Sequence, residues 1–198
     1  MTIVPLKIAV AVSGGGRSLR NLLEQQSDRA YRVSAVIASR ADCQAVQLAK
    51  QAELPIWIDN FSIPRDPEAD NQLQSWLNEH KVKLIALAGF LKPFPILKAF
   101  SEQIINIHPA LLPQYGGHGM YGIKVHQAVW KAQEPLSGAT VHYVNNEYDK
   151  GRIIAQVRVQ IEGIESPEAI AERVFANECK LYPEVIHQLA LGTLPLPH

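Results

Sequence analysis

Two periods of apolar spacing organise the first half of the chain. Lys7 to Val12 is a run of Val, Ile and Ala without polar alternation, the pattern of a strand buried on both faces. Ser13-Gly14-Gly15-Gly16 breaks the run, and Leu19, Leu22 and Leu23 then recur at helical spacing. Arg32 to Ala38 reads as a second strand, Cys43 to Ala52 as a helix with Val46, Leu48 and Ala49 inward, and Leu54 to Ile58 as a short third strand. Asp66-Pro67-Glu68 is a helix start, with Asp as N-cap and Pro in the first turn. Leu73, Trp76, Leu77 and His80 follow at i, i+3, i+4 and i+7. Lys83 to Ala88 is another buried-strand run ended by Gly89, Phe94 to Phe100 reads as a short helix, and Gln103 to Ile107 as a strand. Strand and helix alternating in this way predict an open, mostly parallel α/β sheet.

The pattern changes after His108. Leu112 to Val125 carries four glycines and little periodicity, which predicts a loop, and Val125 to Ala132 a helix. Ala139 to Val144 and Ile153 to Ile161 read as strands joined by the polar turn Asn145 to Gly151. Ser166-Pro167-Glu168 opens a last helix that should run to Leu191 and stop at Gly192, with a kink at Pro183. No internal repeat or low-complexity tract interrupts the chain.

Composition narrows the function classes. With 198 residues, 47% of them hydrophobic and 19% charged, the chain is expected to form one globular domain. Lys+Arg and Asp+Glu are equal in number, which argues against an electrostatically driven nucleic-acid or membrane binder. The apolar run after Lys7 is too short to span a bilayer. Two cysteines, Cys43 and Cys179, make neither a disulfide framework nor a metal cluster, and suit a reducing, cytoplasmic setting. The seven histidines have no zinc-motif spacing, so no metal is expected.

The chemistry concentrates in Ile104 to Pro113, IINIHPALLP. Asn106 and His108 are two apart on a strand and so point to one face, and Pro109 keeps the chain extended at His108. An amide beside an imidazole suits a reaction in which an oxygen gains charge while a proton moves. The Ser13 to Ser18 segment is a glycine turn between strand and helix, able to present N–H groups to an anion such as phosphate. It matches neither the dinucleotide fingerprint, since Leu19 takes the place of the third glycine, nor the P-loop. Asp149 lies in a polar turn; beside His108 it would favour the imidazolium form and accept a proton. Glu178 shares the inward face of the last helix with Val174, Leu181 and Val185, where a cationic or amine ligand would satisfy it. Arg65, before a helix N-cap, suits a phosphate or carboxylate ligand.

In order and spacing, AVSGGGRSL, ASRADCQAVQLAKQAELP, LIALAGFLKPFP, INIHPALLPQYGG, SGATVHYVNNEYDKGRIIAQ and ECKLYPEVI resemble the folate-dependent glycinamide ribonucleotide formyltransferase family of purine synthesis. The resemblance spans about residues 6 to 192. It implies a Rossmann-like half, roughly 1–108, for the substrate phosphate, and a second half, 109–198, with antiparallel strands, completing a folate cleft. By the resemblance Asn106, His108 and Asp149 match the catalytic trio; the mechanism expected of them is direct amine attack, with Asn106 and a protonated His108 stabilising the oxyanion and Asp149 holding His108 charged and assisting proton transfer. Gly15, Gly16, Arg17 and Ser18 match the phosphate site, and Glu178 the acid near the substrate amine. Leu91, Lys92 and Phe94, with Asn106 and Val144, Asn145, Asn146 and Glu147, match the folate-binding side, to which Arg65 is also assigned. The co-substrate implied is 10-formyltetrahydrofolate, with small-molecule partners, no metal, and a monomer or homodimer. Arg17-Ser18 and Lys92 depart from the family's commoner residues, and the loop after Tyr115 is longer than in its shortest members.

Related activities are open on this basis. A formyltetrahydrofolate hydrolase is expected to carry a preceding regulatory module, for which a strand beginning at residue 7 leaves no room. A methionyl-tRNA formyltransferase is expected to carry a further C-terminal RNA-binding domain and a basic surface. A formyltransferase acting on another amino-sugar nucleotide would look alike, and a nucleotide-binding regulatory module would bind ligand without transfer.

Overall fold

The computed structural model describes residues 4–194. The side chains of β1 (Leu6–Val12) alternate between two cores. Ile8, Val10 and Val12 enter the larger core, and Ala9 and Ala11 the smaller one. Both faces being covered, no position is left for a polar residue, hence the unbroken apolar run. β4 (Leu84–Leu87) repeats this, with Leu84 and Ala86 on one side and Ile85 and Leu87 on the other.

The remaining strands are β2 (Tyr31–Ala38), β3 (Ile56–Ile58), β5 (Ile104–His108), β6 (Leu136–Tyr143) and β7 (Ile153–Gln160). They form one sheet in the order β3-β2-β1-β4-β5-β6-β7. β1 to β5 are parallel, and β6 and β7 each run antiparallel to the strand before. The chain winds from β1 outward to β3, then returns to the other side of β1 with β4. That reversal leaves a crevice outside the carboxyl ends of β1 and β4, where ligands of open α/β sheets bind.

Helices α1 (Arg17–Gln25), α2 (Gln44–Gln51), α4 (Ile123–Lys131) and α5 (Pro167–Leu191) supply Leu19, Leu22, Val46, Val129, Ile170 and Val174 to the larger core. α3 (Pro67–Glu79) covers the opposite face through Leu73 and Leu77. The sequence signals for helix ends operate as expected. Asp66 Oδ1 accepts from the Glu68 N–H at 2.9 Å, Ser166 Oγ from the Ala169 N–H at 3.1 Å, and Gly192 ends α5 at φ 70°. Pro183 lies inside α5 without ending it. Lacking an N–H, Pro183 cannot satisfy the Cys179 carbonyl. The side-chain amides of Asn21 and Gln25 on α1 donate to that carbonyl instead, at 3.0 and 2.8 Å.

Some boundaries differ from the sequence expectation. Residues 94–100 form no α-helix; only Lys98–Phe100 makes a single 3₁₀ turn. Pro95 removes a helical donor and disfavours helical φ/ψ at Phe94, so the apolar spacing of Phe94, Leu97 and Phe100 serves a core-facing loop. β3 is shorter than expected, and β6 begins at Leu136 rather than Ala139.

Candidate active site

The glycine turn after β1 is built to leave donors free. Gly16 has φ 73° and is the N-cap of α1, with no side chain capping the helix. A Cβ there would lie 2.9 Å from that of Ala45, so α2 packs against bare backbone. The first N–H groups of α1 therefore await an outside acceptor, in the positive field of the helix N-terminus. Ser13 anchors the turn: its Oγ accepts from the Leu91 N–H at 2.9 Å and from the Ser39 hydroxyl at 2.8 Å.

Asn106 and His108 share one face of β5, at its carboxyl end. The antiparallel register sets Asn106 opposite His142 and His108 opposite Thr140. His142 Nδ1 lies 2.8 Å from the Tyr143 carbonyl, which can only accept, so Nε2 is left to accept from the Asn106 amide at 3.1 Å. This contact fixes the orientation of the Asn106 side chain and leaves its second N–H for a ligand. Thr140 pins the chain after His108: its hydroxyl donates to the Ala110 carbonyl at 2.6 Å and accepts from the Leu112 N–H at 3.1 Å.

The Asp149 turn does fold against these strands. Asp149 Oδ2 is 3.5 Å from His108 Nδ1, and Oδ1 is 3.5 Å from His142 Nε2. The Gly117 N–H donates to Oδ2 at 2.9 Å. Gly151 makes the fold-back feasible, since a Cβ there would overlap the Tyr143 carbonyl. Burial opposes the charge on Asp149, but in the acid range where a carboxyl titrates the protonated rings of His142 and His108, with the Gly117 N–H, hold it below the ordinary value. His108 moves the other way from expectation. Burial lowers its imidazole below the ordinary value, outweighing Asp149 and the Tyr115 carbonyl, both of which raise it. At neutral pH the unliganded ring thus carries one proton, not the two anticipated from its acidic neighbour. That proton belongs on Nε2, which donates to the Tyr115 carbonyl at 2.8 Å and leaves the Nδ1 lone pair facing Asp149. Tyr115 and Asp149 both adopt φ 56°, a left-handed conformation unfavourable for a bulky side chain such as Tyr115.

These groups open onto one cleft of about 930 Å³, at the upper end of the range for small-molecule sites. Gly15, Gly16, Arg17 and Ser18 line it, as do Glu178 and the expected folate-side residues Leu91, Lys92, Phe94, Val144, Asn145, Asn146 and Glu147. Burial pushes the Glu178 carboxyl up to about 7, with Arg17 acting in the opposite direction. Arg65 is a correction: it does not line the cleft. Its guanidinium binds Asp59 at 2.6 Å and Asp70, and lies over the Phe61 ring, where it braces the start of α3. The loop at 117–124 also borders the cleft.

The described residues match known proteins over nearly their whole length. The family model described as formyl transferase matches residues 6–186. The chain belongs to the formyl transferase family. It is 41% identical over 186 residues to a chloroplastic phosphoribosylglycinamide formyltransferase of Arabidopsis thaliana, covering 91% of this chain and 64% of that protein. It is 35% identical over 197 residues to the phosphoribosylglycinamide formyltransferase of Haemophilus influenzae, covering 96% and 90%. The solved structure of the Coxiella burnetii phosphoribosylglycinamide formyltransferase superposes with a TM-score of 0.83 at 35% identity, over 95% of this chain and 88% of that one.

Sequence reasoning on this formyl transferase missed His142, Thr140, the Gly117 N–H and the Tyr115 carbonyl. His126 was missed as well: it is buried, borders the cleft, and is pushed down to about 4 by burial and by His108. The alternation of Thr140 and His142 was a signal, but its meaning depended on the register with β5. Among the described residues no group of His, Cys, Asp and Glu could hold a metal ion, and no helix is long and apolar enough to cross a membrane.

Proposed function

We propose that the chain, as one domain, transfers a formyl group from 10-formyltetrahydrofolate to the amine of glycinamide ribonucleotide in purine synthesis. The relatives named above carry that activity in their names, and the family match supports the reaction type. The observation that carries the reading is the convergence of Asn106, His108 and Asp149, from two distant segments, on a cleft also lined by an uncapped helix N-terminus and by Glu178.

The phosphate of the ribonucleotide sits on the Gly15 to Ser18 turn, and Glu178 accepts a hydrogen bond from its amine. The amine nitrogen bonds to the formyl carbon, and the carbonyl pair moves onto oxygen. Asn106 donates its free N–H to that oxyanion. The amine proton passes to the His108 Nδ1 and Asp149 pair, directly or through water, so that the imidazolium forms during the reaction rather than before it. Collapse breaks the bond from carbon to the folate nitrogen, and the same proton is delivered to that nitrogen. Leu91, Lys92, Phe94 and the 144–147 backbone hold the pterin side, and no covalent enzyme intermediate is needed.

An absorbance assay for tetrahydrofolate release, with and without glycinamide ribonucleotide, tests the reaction. Release should require the amine; equal release without it would assign a hydrolase. Asn106→Ala and Asp149→Ala should each lose about 100- to 1,000-fold in turnover while still binding substrate. Near-normal turnover in Asp149→Ala would remove the carboxylate from the mechanism.

A further inference from the structure

We infer that Glu172 is a displaceable counter-ion for Arg17, and that a phosphate monoester enters the site by taking Glu172's place on the guanidinium. The inference rests on the reading of the Gly15 to Ser18 turn as a phosphate site and concerns how that site is held before ligand arrives.

Arg17 is the first residue of α1, at the helix end that no side chain caps. Its Nη1 and Nη2 donate to the two carboxylate oxygens of Glu172 on α5, at 2.7 and 2.6 Å. The guanidinium carbon lies 3.8 Å from the centroid of the Phe175 ring, one turn further along α5. Arg17 and Phe175 border the cleft, while Glu172 does not. The cation is thus shelved on an aromatic face beside the free N–H groups of α1, with its donor edge occupied by an anion from outside the cleft.

The energetics favour exchange over a permanent latch. Both partners are more than half exposed, at 55% and 66%, and ion pairs so exposed contribute little. A phosphate monoester brings a charge of about −1.5 to −2 and three acceptor oxygens, against one charge on Glu172. It also accepts from the helix N–H groups, which the Glu172 carboxylate leaves unpartnered. Stacking on Phe175 is a face contact and the ion pair an edge contact. The guanidinium can therefore change partners at its edge while its plane stays where it is. Glu172 in this arrangement is a positioning residue: it keeps Arg17 off alternative acceptors, including Glu178, whose carboxyl also feels the Arg17 charge.

A double-mutant cycle with inorganic phosphate as the probe tests this by calorimetric titration. Arg17→Ser should weaken phosphate binding about 10-fold or more, and Glu172→Gln should tighten it about 3- to 5-fold. In the Arg17→Ser background, Glu172→Gln should change nothing. Equal tightening by Glu172→Gln in both backgrounds would overturn the exchange, because it would reduce Glu172 to a diffuse repulsive charge. A fall in melting temperature in Glu172→Gln with unchanged phosphate affinity would overturn it too, and assign a structural latch. With glycinamide ribonucleotide the same pattern should appear in KM rather than kcat. An intact phosphate cycle without formyl transfer would refute the proposed reaction alone. Formyl transfer with an additive cycle would refute the exchange alone.

Discussion

Two side chains in the cleft have ionisation set by burial more than by sequence neighbours. His108 is depressed below its ordinary value, so its Nδ1 lone pair persists as the pH falls to 6.5 and below. Glu178 is raised to about 7, so its carboxylate is lost earlier, as the pH falls through neutrality. The acid limb of kcat/KM should therefore sit near 7 and belong to Glu178. In Glu178→Gln the activity that remains should show only the limb below 6.5 from His108; an unmoved limb near 7 would refute the assignment. The same shift has a consequence for folding. A carboxyl whose folded pKa exceeds its unfolded value binds more protons when folded, so stability falls as pH rises from about 4.5 to about 7. Glu178→Gln should be more stable than the parent protein at pH 8, by on the order of 1–3 kcal/mol, and show little gain at pH 4.5. Denaturant titrations at the two pH values check this. The inward place of Glu178 on the last helix was legible in the sequence; the extent of its desolvation, and the burial that outweighs the attraction of Asp149 for His108, were not.

Among the elements, the turn between β6 and β7 carries the most consequence for the proposed reaction on the least sequence signal. Its composition announced a turn, but nothing in the string Asn145 to Gly151 said that Asp149 would meet β5. That depends on Gly151 packing against the Tyr143 carbonyl and on Gly117 donating to the carboxylate. Gly151→Ala should push the turn away and lower kcat about 10- to 100-fold, since small misplacements of a catalytic group cost that much. Phosphate binding at the α1 end should be retained, which titration of the variant would show. The 94–100 segment teaches the converse: helical spacing of apolar residues was legible, yet Pro95 and the demands of the core beside α3 made it a loop. In α5 the helix signals outweighed Pro183, because α1 supplies side-chain amides for the carbonyl that the proline leaves free.

For the molecule as a whole, the cleft draws on residues from Gly14 to Glu178, so it exists only when β1, β4, β5, the β6–β7 turn and α5 are all in place. A ligand filling it links those elements and binds only the folded chain. Glycinamide ribonucleotide at 100 times its dissociation constant should stabilise the protein by about 2.7 kcal/mol. For a chain of this size that corresponds to roughly 5–11 °C in Tm. A thermal melt with and without the ligand reads it, and no shift would mean that the cleft is not the ribonucleotide site.

The order of strands and helices, the parallel character of the first half, the caps of α3 and α5 and the shared face of Asn106 and His108 were determined by the sequence itself. These are local properties: apolar period, the backbone restrictions of Pro and Gly, and the two-residue repeat of a strand. The partnership of Asn106 with His142, the approach of Asp149 to His108, the protonation of that histidine and the withdrawal of Arg65 from the cleft were decided only by tertiary structure. Each depends on strand register, on chain closure across more than thirty residues, or on desolvation. Those quantities belong to the packed molecule and to no single segment of it.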